Sequence, residues 1–151
     1  MLVFVPLTPP TLTSWAQGGE CRPAAAFAVT AGLRQAFGFG PGDDEDAEHT
    51  ALHVAGLTAL LGGGRRLAAV ADVAATPVVG DDFGEVTVGS LPWSAVTAIF
   101  DESDPAAAAL LRPLVAGAEL ADAWDAPAVA EFLADHELLW HGPGEWAKLV
   151  R

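Results

Sequence analysis

The sequence predicts an α+β fold: a single domain, residues 1–151, with one mixed or antiparallel sheet and helices packed mainly on one of its faces. Three observations support this. Short apolar runs are typical of strands, other segments space their apolar residues as helices do, and Pro or Gly stands where these segments end. A ferredoxin-like sandwich is one arrangement that fits. The composition is 52% hydrophobic, which is enough for a buried core in a chain of 151 residues.

The strands are predicted from apolar runs and from alternation. In "PWSAVTAIFDE" the alternation places Val96, Ala98 and Phe100 on one face and Thr97 and Ile99 on the other. The predicted strand segments are 1–8, 25–30, 65–74, 84–90, 92–102 and 137–141.

The helices are predicted from capping residues, first-turn prolines and closing glycines. The clearest is "DDEDAEHTALHVAGLTALLGGG", which begins with four acids, favoured at the positive end of the helix dipole. A further helix over 125–137 has Asp125 as its predicted cap. The other predicted helices lie within 8–20, 31–40, 103–117 and 144–151.

The charge balance excludes several classes of partner. Seven basic against 20 acidic residues give a net charge of −13, so we expect no binding to nucleic acids or to anionic membranes. We expect no signal peptide and no membrane span, which favours a cytoplasmic protein. Cys21 is the single cysteine, so no internal disulfide is possible. The high apolar content suggests that some apolar surface lies in a subunit interface, and we expect a homo-oligomer.

Five segments together resemble a family of small, uncharacterised actinobacterial proteins. They are the N-terminal strand ending at Pro6, "AFAVTAGLR" at 26–34, "RRLAAVADV" at 65–73, "PWSAVTAIFDE" at 92–102 and "DHELLWH" at 135–141. The most specific piece is "DHELLW". The resemblance implies a bacterial cytosolic protein and carries over no catalytic residue.

His49 and His53 are the candidate metal ligands. They stand four residues apart in the helix predicted over 43–64, and residues at this spacing share a helix face. Two histidines so placed can hold a transition metal, but the glutamate that follows the first histidine in the metalloprotease motif is replaced by Thr50. Both lie opposite the apolar face of the helix, so we expect two solvated histidines and no bound metal.

Residues 135–146, "DHELLWHGPGEW", concentrate more titratable and aromatic side chains than any other stretch. One interpretation is a helix end, a short strand and a C-terminus fastened by tryptophans, with the positive form of His136 favoured by the helix dipole. The other is a site, with His136 as a general base oriented by Asp135 or Glu137, or as a ligand joined by His141. His136, Glu137 and His141 are the candidate catalytic residues, and the first interpretation is preferred.

No other segment predicts a cofactor or a nucleophile. The acidic clusters at 43–46, 81–82 and 101–104 lack the ligand spacing of a calcium loop and suit helix starts and solvated loops. The glycines before Arg65 and Arg66 end a helix, which is the wrong end for binding phosphate, although the two arginines would bind an anion if they lay over a pocket. Cys21 has Arg22 to favour its thiolate and Glu20 to oppose it. We therefore expect no cofactor.

Two functional hypotheses follow. The preferred one is a non-catalytic domain that acts through protein–protein contacts as a homodimer. The alternative is an enzyme or small-molecule-binding protein with its site near His136, Glu137 and His141 and with an unknown ligand. Enzymatic activity is left open.

Overall fold

The computed structural model describes all 151 residues, and it contains nine strands and seven α-helices. The strands are β1 (Leu2–Pro6), β2 (Glu20–Cys21), β3 (Phe27–Ala28), β4 (Leu67–Asp72), β5 (Thr76–Pro77), β6 (Val86–Thr87), β7 (Leu91–Pro92), β8 (Val96–Asp101) and β9 (Leu139–His141). The helices are α1 (Pro9–Gly18), α2 (Ala31–Phe37), α3 (Asp44–Leu61), α4 (Pro105–Val115), α5 (Leu120–Asp125), α6 (Pro127–Asp135) and α7 (Trp146–Leu149). The predicted α+β class is confirmed.

The central sheet has five strands in the order β3-β1-β4-β8-β9, and every neighbouring pair is antiparallel. Four of these strands, β1, β4, β8 and β9, lie side by side in chain order. A ferredoxin-like sandwich instead interleaves its strands through crossovers that pass over a neighbour, so this sheet is a meander with one added edge strand. Two small two-stranded sheets, β2-β7 and β5-β6, lie outside it.

Both faces of the sheet are covered, because strand side chains alternate between them. On one face Val3, Val5 and Ile99 pack with Leu12 and Trp15 of α1 and with Leu149 of α7. On the other face, strand residues pack against α2 and α3 in a second cluster that contains Phe4, Ala68, Val70 and Ala98.

Helix α3 is buried on two sides. Its Ala51, Val54 and Ala55 face the sheet, whereas its Leu57 and Leu60 pack against the layer formed by α4, α5 and α6. Most of the helical mass therefore lies on this face of the sheet. No helix of the structure combines the length and the apolar character that crossing a membrane requires.

Three local predictions are wrong. A β-bulge pairs Val70 with Ala98 but Ala71 with Val96, which moves Val96 into the Ile99 cluster on the opposite face from Ala98. Residues 93–95, predicted to start the strand, form a turn of 3₁₀ helix. Asp125 ends α5, a helix that the sequence did not predict, and Ala126 takes the cap position of α6 without a side-chain hydrogen bond.

Candidate functional site

Helix α3 brings His49 and His53 into direct contact. Their spacing of four residues stacks the two rings one turn apart, with centroids 4.2 Å from each other. The two Nε2 atoms are 3.0 Å apart and share a hydrogen bond. Two imidazole nitrogens therefore converge on one point beside the helix.

Glu137 reaches the same point from a distant part of the chain. It lies between α6 and β9, 88 residues after His49, and its Oε2 is 3.5 Å from His49 Nε2. One ligand atom from each of His49, His53 and Glu137 lies within 4.8 Å of the other two. The three side chains form the histidine–glutamate cluster, the only group of three or more potential metal ligands this close together.

A buried ion pair fixes the backbone next to Glu137. Arg66 and Glu102 have fully buried side chains, and Arg66 donates from Nε to Glu102 Oε1 (2.9 Å) and from Nη2 to Oε2 (2.6 Å). The same Nη2 donates to the backbone carbonyl of His136 at 2.9 Å, and the guanidinium lies 4.5 Å from the ring centroid of Phe132. Arg66 thus ties the residue preceding Glu137 to the core.

His53 is held in its neutral form. The residue is 5% exposed, and burial, reinforced by the neighbouring charges of His49 and Arg66, lowers the pKa of His53 to about 4. Glu137 opposes this shift. A neutral imidazole is the form that binds metal, so His53 is ready to act as a ligand at neutral pH.

The burial of His53 carries a cost that packing does not explain. Its Nδ1 is buried without a hydrogen-bond partner, as is Nη1 of Arg66. A buried polar group left without a partner costs about 1–3 kcal/mol, which an apolar side chain would avoid. The atom without a partner is Nδ1, so this cost arises on the side of the ring that does not face His49.

A pocket of about 310 Å³ opens beside the histidine pair. The side from α3 is polar and consists of His49, Thr50 and His53. The opposite side comes from α5 and α6 and is apolar: Trp124, Ala130, Leu133 and Ala134. Glu137 does not line the pocket, so it approaches the histidines from outside it.

Aromatic packing holds the apolar wall in place. The ring of Trp124 meets Phe37 edge-to-face with centroids 5.6 Å apart, and it meets Phe83 in the same way at 6.0 Å. Trp124 is thereby fixed against residues from α2 and from the loop before β6, which gives the pocket one rigid side.

The cluster has the donor set of a transition-metal site. Two imidazole nitrogens and one carboxylate oxygen are the three protein ligands of several catalytic zinc sites, where a fourth position takes water or substrate. The same three ligand types occur in non-haem iron sites. The arrangement can therefore bind a metal ion and still leave it open to an incoming ligand.

The three candidate catalytic residues of the C-terminal segment lie in three different surroundings. His136 packs on Phe132 with ring centroids 4.8 Å apart, and its Nδ1 is 3.7 Å from Asp104 Oδ2. His141 pairs with Ile99 in the sheet, on the opposite face from Trp140, and its Nδ1 is 3.9 Å from Glu145 Oε1. Of the three, Glu137 alone joins the histidine–glutamate cluster.

The expectation that both α3 histidines are solvated is wrong for His53. The His49 side chain is 54% exposed, whereas His53 is buried under the layer formed by α5 and α6. The helical spacing of the two histidines was visible in the sequence. No sequence signal joined them to Glu137, Arg66 or Trp124, because these residues meet only when α5 and the segments before β4 and β9 pack around α3.

The other charged candidates are used in local structure. Arg65 pairs with Asp101 and Arg66 with Glu102, so each arginine binds a carboxylate of its own chain and neither is free for an external anion. Asp81 accepts hydrogen bonds from the backbone N–H groups of Phe83 (2.9 Å) and Glu85 (2.7 Å), and Asp104 caps α4 through Ala107 N. Burial raises the pKa of the Cys21 thiol, which disfavours a nucleophilic thiolate.

The comparisons with known proteins identify the family but not an activity. No curated protein and no solved structure matches the chain. A family model matches residues 1–150, nearly the whole length of the sequence, and its description is a family of unknown function. The chain belongs to this family, DUF6912.

Proposed function

We propose that this protein binds one divalent transition-metal ion, with Zn²⁺ as the best match, through His49, His53 and Glu137. The observation that carries the proposal is the convergence of three ligand atoms within 4.8 Å, contributed by two segments far apart in the sequence. Two nitrogen donors favour zinc over calcium or magnesium, which prefer oxygen ligands. The net charge of −13 further favours a cation as the bound species.

The geometry needs little adjustment to hold zinc. Tetrahedral coordination with Zn–N bonds near 2.0–2.1 Å places ligand atoms about 3.3 Å apart. The two Nε2 atoms are 3.0 Å apart, and Glu137 Oε2 is 3.5 Å from His49 Nε2. The Glu137 side chain is 72% exposed, so it is free to rotate and bring its carboxylate closer to His53.

The test is a zinc titration of the purified full chain against a competing chromophoric chelator. We expect one Zn²⁺ per chain. His49→Gln and Glu137→Gln each remove a ligand at an exposed position, and we expect each to weaken binding beyond the roughly 10–100-fold that losing an outer partner costs. His141→Gln and Glu145→Gln are matched controls, since this pair lies elsewhere, and they should bind as the wild type does. Equal zinc affinity of the wild type and His49→Gln would overturn the proposal.

A second candidate function, self-association, is supported by the surface of α4. Leu110 and Leu114 stand one helical turn apart and are 78% and 72% exposed. They flank a groove of about 420 Å³ that also contains Ala107, Leu111 and Phe132. Because the exposed leucines and the groove lie on the same surface, a two-fold axis would place the leucines of each copy in the groove of the other.

Helix α4 itself carries no negative charge. It contains no acidic residue, although the chain carries 20, and the acids that line the groove, Glu131 and Asp135, belong to α6. Contact through the α4 leucines therefore brings no α4 carboxylates together. This candidate keeps the predicted non-catalytic homodimer that acts through protein contacts. We also propose a bacterial, actinobacterial source and a cytoplasmic location, as the composition and the resemblance predict.

Light scattering on eluting size-exclusion fractions tests self-association. We expect the wild type to elute as a dimer at micromolar concentration and Leu110→Glu to elute as a monomer. Val79→Glu is the matched control, because Val79 is 99% exposed and belongs to the β5–β6 loop and not to α4. A wild type that stays monomeric rejects the candidate.

A further inference from the structure

The pocket beside the histidine pair has a shape and lining that identify a class of ligand. We propose that it binds a small aromatic acid, whose acidic head completes the coordination of the metal ion and whose ring lies against Trp124. This inference rests on the proposed metal site and extends it to the molecule that the metal would bind.

The two pockets beside His49 differ in how they face the proposed metal ion. His49 borders two pockets, but only the pocket that contains Trp124 is lined by both imidazoles. Glu137 lines neither of them and approaches the histidines from another side. An ion bound by these three ligands would therefore present its fourth position to the Trp124 pocket.

The lining of the pocket limits the chemistry of its ligand. Apart from the two imidazoles, the only polar side chain in it is Thr50, and no Lys or Arg lines it. A phosphate-rich ligand such as a nucleotide finds no cation here other than the metal, in a chain with a net charge of −13. The ligand therefore needs one metal-binding head, and the wall of Trp124, Ala130 and Leu133 suits an apolar body.

The volume of the pocket limits the size of its ligand. A pocket of about 310 Å³ lies at the lower end of the roughly 300–1,000 Å³ that is usual for small-molecule sites, so it suits a small ligand. A single aromatic ring with a carboxylate or hydroxamate head is such a ligand. Trp124 lines the pocket, and it interacts more favourably with an aromatic ring than with a methyl group.

The experiment uses the Co²⁺-loaded full chain and two hydroxamates with the same head group. Benzohydroxamate carries a ring and acetohydroxamate a methyl group, and each is titrated while the visible absorption of Co²⁺ is recorded. We expect benzohydroxamate to shift the spectrum at a concentration at least about 10-fold lower, because burial of the ring in the pocket favours it.

Two variants locate the ring. Ala130 is an exposed residue of α6 that lines the pocket, so Ala130→Trp fills the space without touching the core. We expect its preference for benzohydroxamate to fall to about 2-fold or less, since the ring loses its place. Ala109→Trp is the matched control on an exposed face of α4, and it should keep the wild-type preference.

Three outcomes separate the inference from the metal site. If one Co²⁺ binds per chain and the two hydroxamates act equally, the inference is wrong and the metal site stands. A preference that survives in Ala130→Trp also overturns the inference, because the ring would then lie elsewhere. If no Co²⁺ binds at stoichiometric concentration, both proposals fall together.

Discussion

Two regions with histidines behave in opposite ways. Residues 135–146 contain His136 and His141 within a dense run of acids and tryptophans, yet the two side chains contact different partners, Asp104 and Glu145. The only histidines of helix α3 are His49 and His53, and these two are in hydrogen-bond contact. Density along the sequence is therefore a weaker guide to a site than spacing within one rigid element.

The physical reason is the geometry of the chain. A continuous helix keeps residues four apart on one face, whatever the rest of the fold does. Residues 135–146 instead pass from the end of α6 through β9 into a 3₁₀ turn, so the direction of the side chains changes every few residues. In the strand part, alternation sends Trp140 and His141 to opposite faces of the sheet.

Arg66 connects the two regions. It holds the His136 carbonyl, it carries a charge that lowers the pKa of His53, and it is neutralised by Glu102. The following predictions test this comparison, starting with the link between the regions.

Glu102→Gln should have the largest effect. The substitution leaves the positive charge of Arg66 fully buried without a counter-ion, and we expect it to lower the free energy of unfolding by about 3–5 kcal/mol. Urea denaturation followed by circular dichroism measures this. Lys148→Gln is the control: it breaks an ion pair whose lysine is 67% exposed, and it should cost less than about 1 kcal/mol. Similar losses in both variants would contradict the role given to the buried pair.

His53 should make the metal-free protein less stable in acid. Its pKa is about 4 in the folded chain against 6.5 for a free side chain, so between these values the unfolded chain binds a proton that the folded chain does not. The free energy of unfolding should thus fall as the pH drops from 6.5 to 4, by about 3 kcal/mol in total from this residue, and the contribution should stay constant below pH 4.

The measurement compares wild type and His53→Gln by urea denaturation in the presence of a chelator at several pH values. Other titrating groups contribute to both proteins, so the difference between their unfolding free energies isolates residue 53. A difference that does not change between pH 7 and pH 4 would show that His53 is accessible to protons in the folded chain.

His136→Asn and His141→Asn should have the smallest effects. Each histidine is about one-quarter exposed and lies 3.7–3.9 Å from its carboxylate, so each pairing contributes less than about 1 kcal/mol to stability. Zinc affinity measured by chelator competition should stay within about 2-fold of the wild type, since neither residue belongs to the histidine–glutamate cluster. A large loss of zinc affinity in His141→Asn would move the site into the C-terminal segment.

Much of the fold could be predicted from local patterns. The apolar runs at 1–8 and 65–74 became β1 and β4, and the acid-led segment over 43–64 became α3. Local signals suffice here because alternation and capping act over a few residues. The bulge in β8 could not be predicted in this way, since it depends on how β8 pairs with Ala71 of β4.

The candidate site was predictable only in part. The sequence predicts the α3 pair and Glu137 as candidates, but as members of two different sites. Amphipathic spacing placed His53 in solvent, and that prediction was wrong because α3 has protein on two sides. Leu52 and Leu60 lie off the main apolar face and do predict protein on more than one side of α3, but they do not predict that His53 lies on a covered side.

The sequence by itself determined the α+β class, the acidic net charge, and the spacing that places two histidines on one helix face. Tertiary structure decided which histidine is buried, that Glu137 and not His136 or His141 joins the pair, and that Trp124 and Leu133 form the wall of a pocket beside it. The reason is that composition and short-range spacing are properties of neighbouring residues. Burial, pKa and the convergence of ligands depend instead on which distant segments pack around α3.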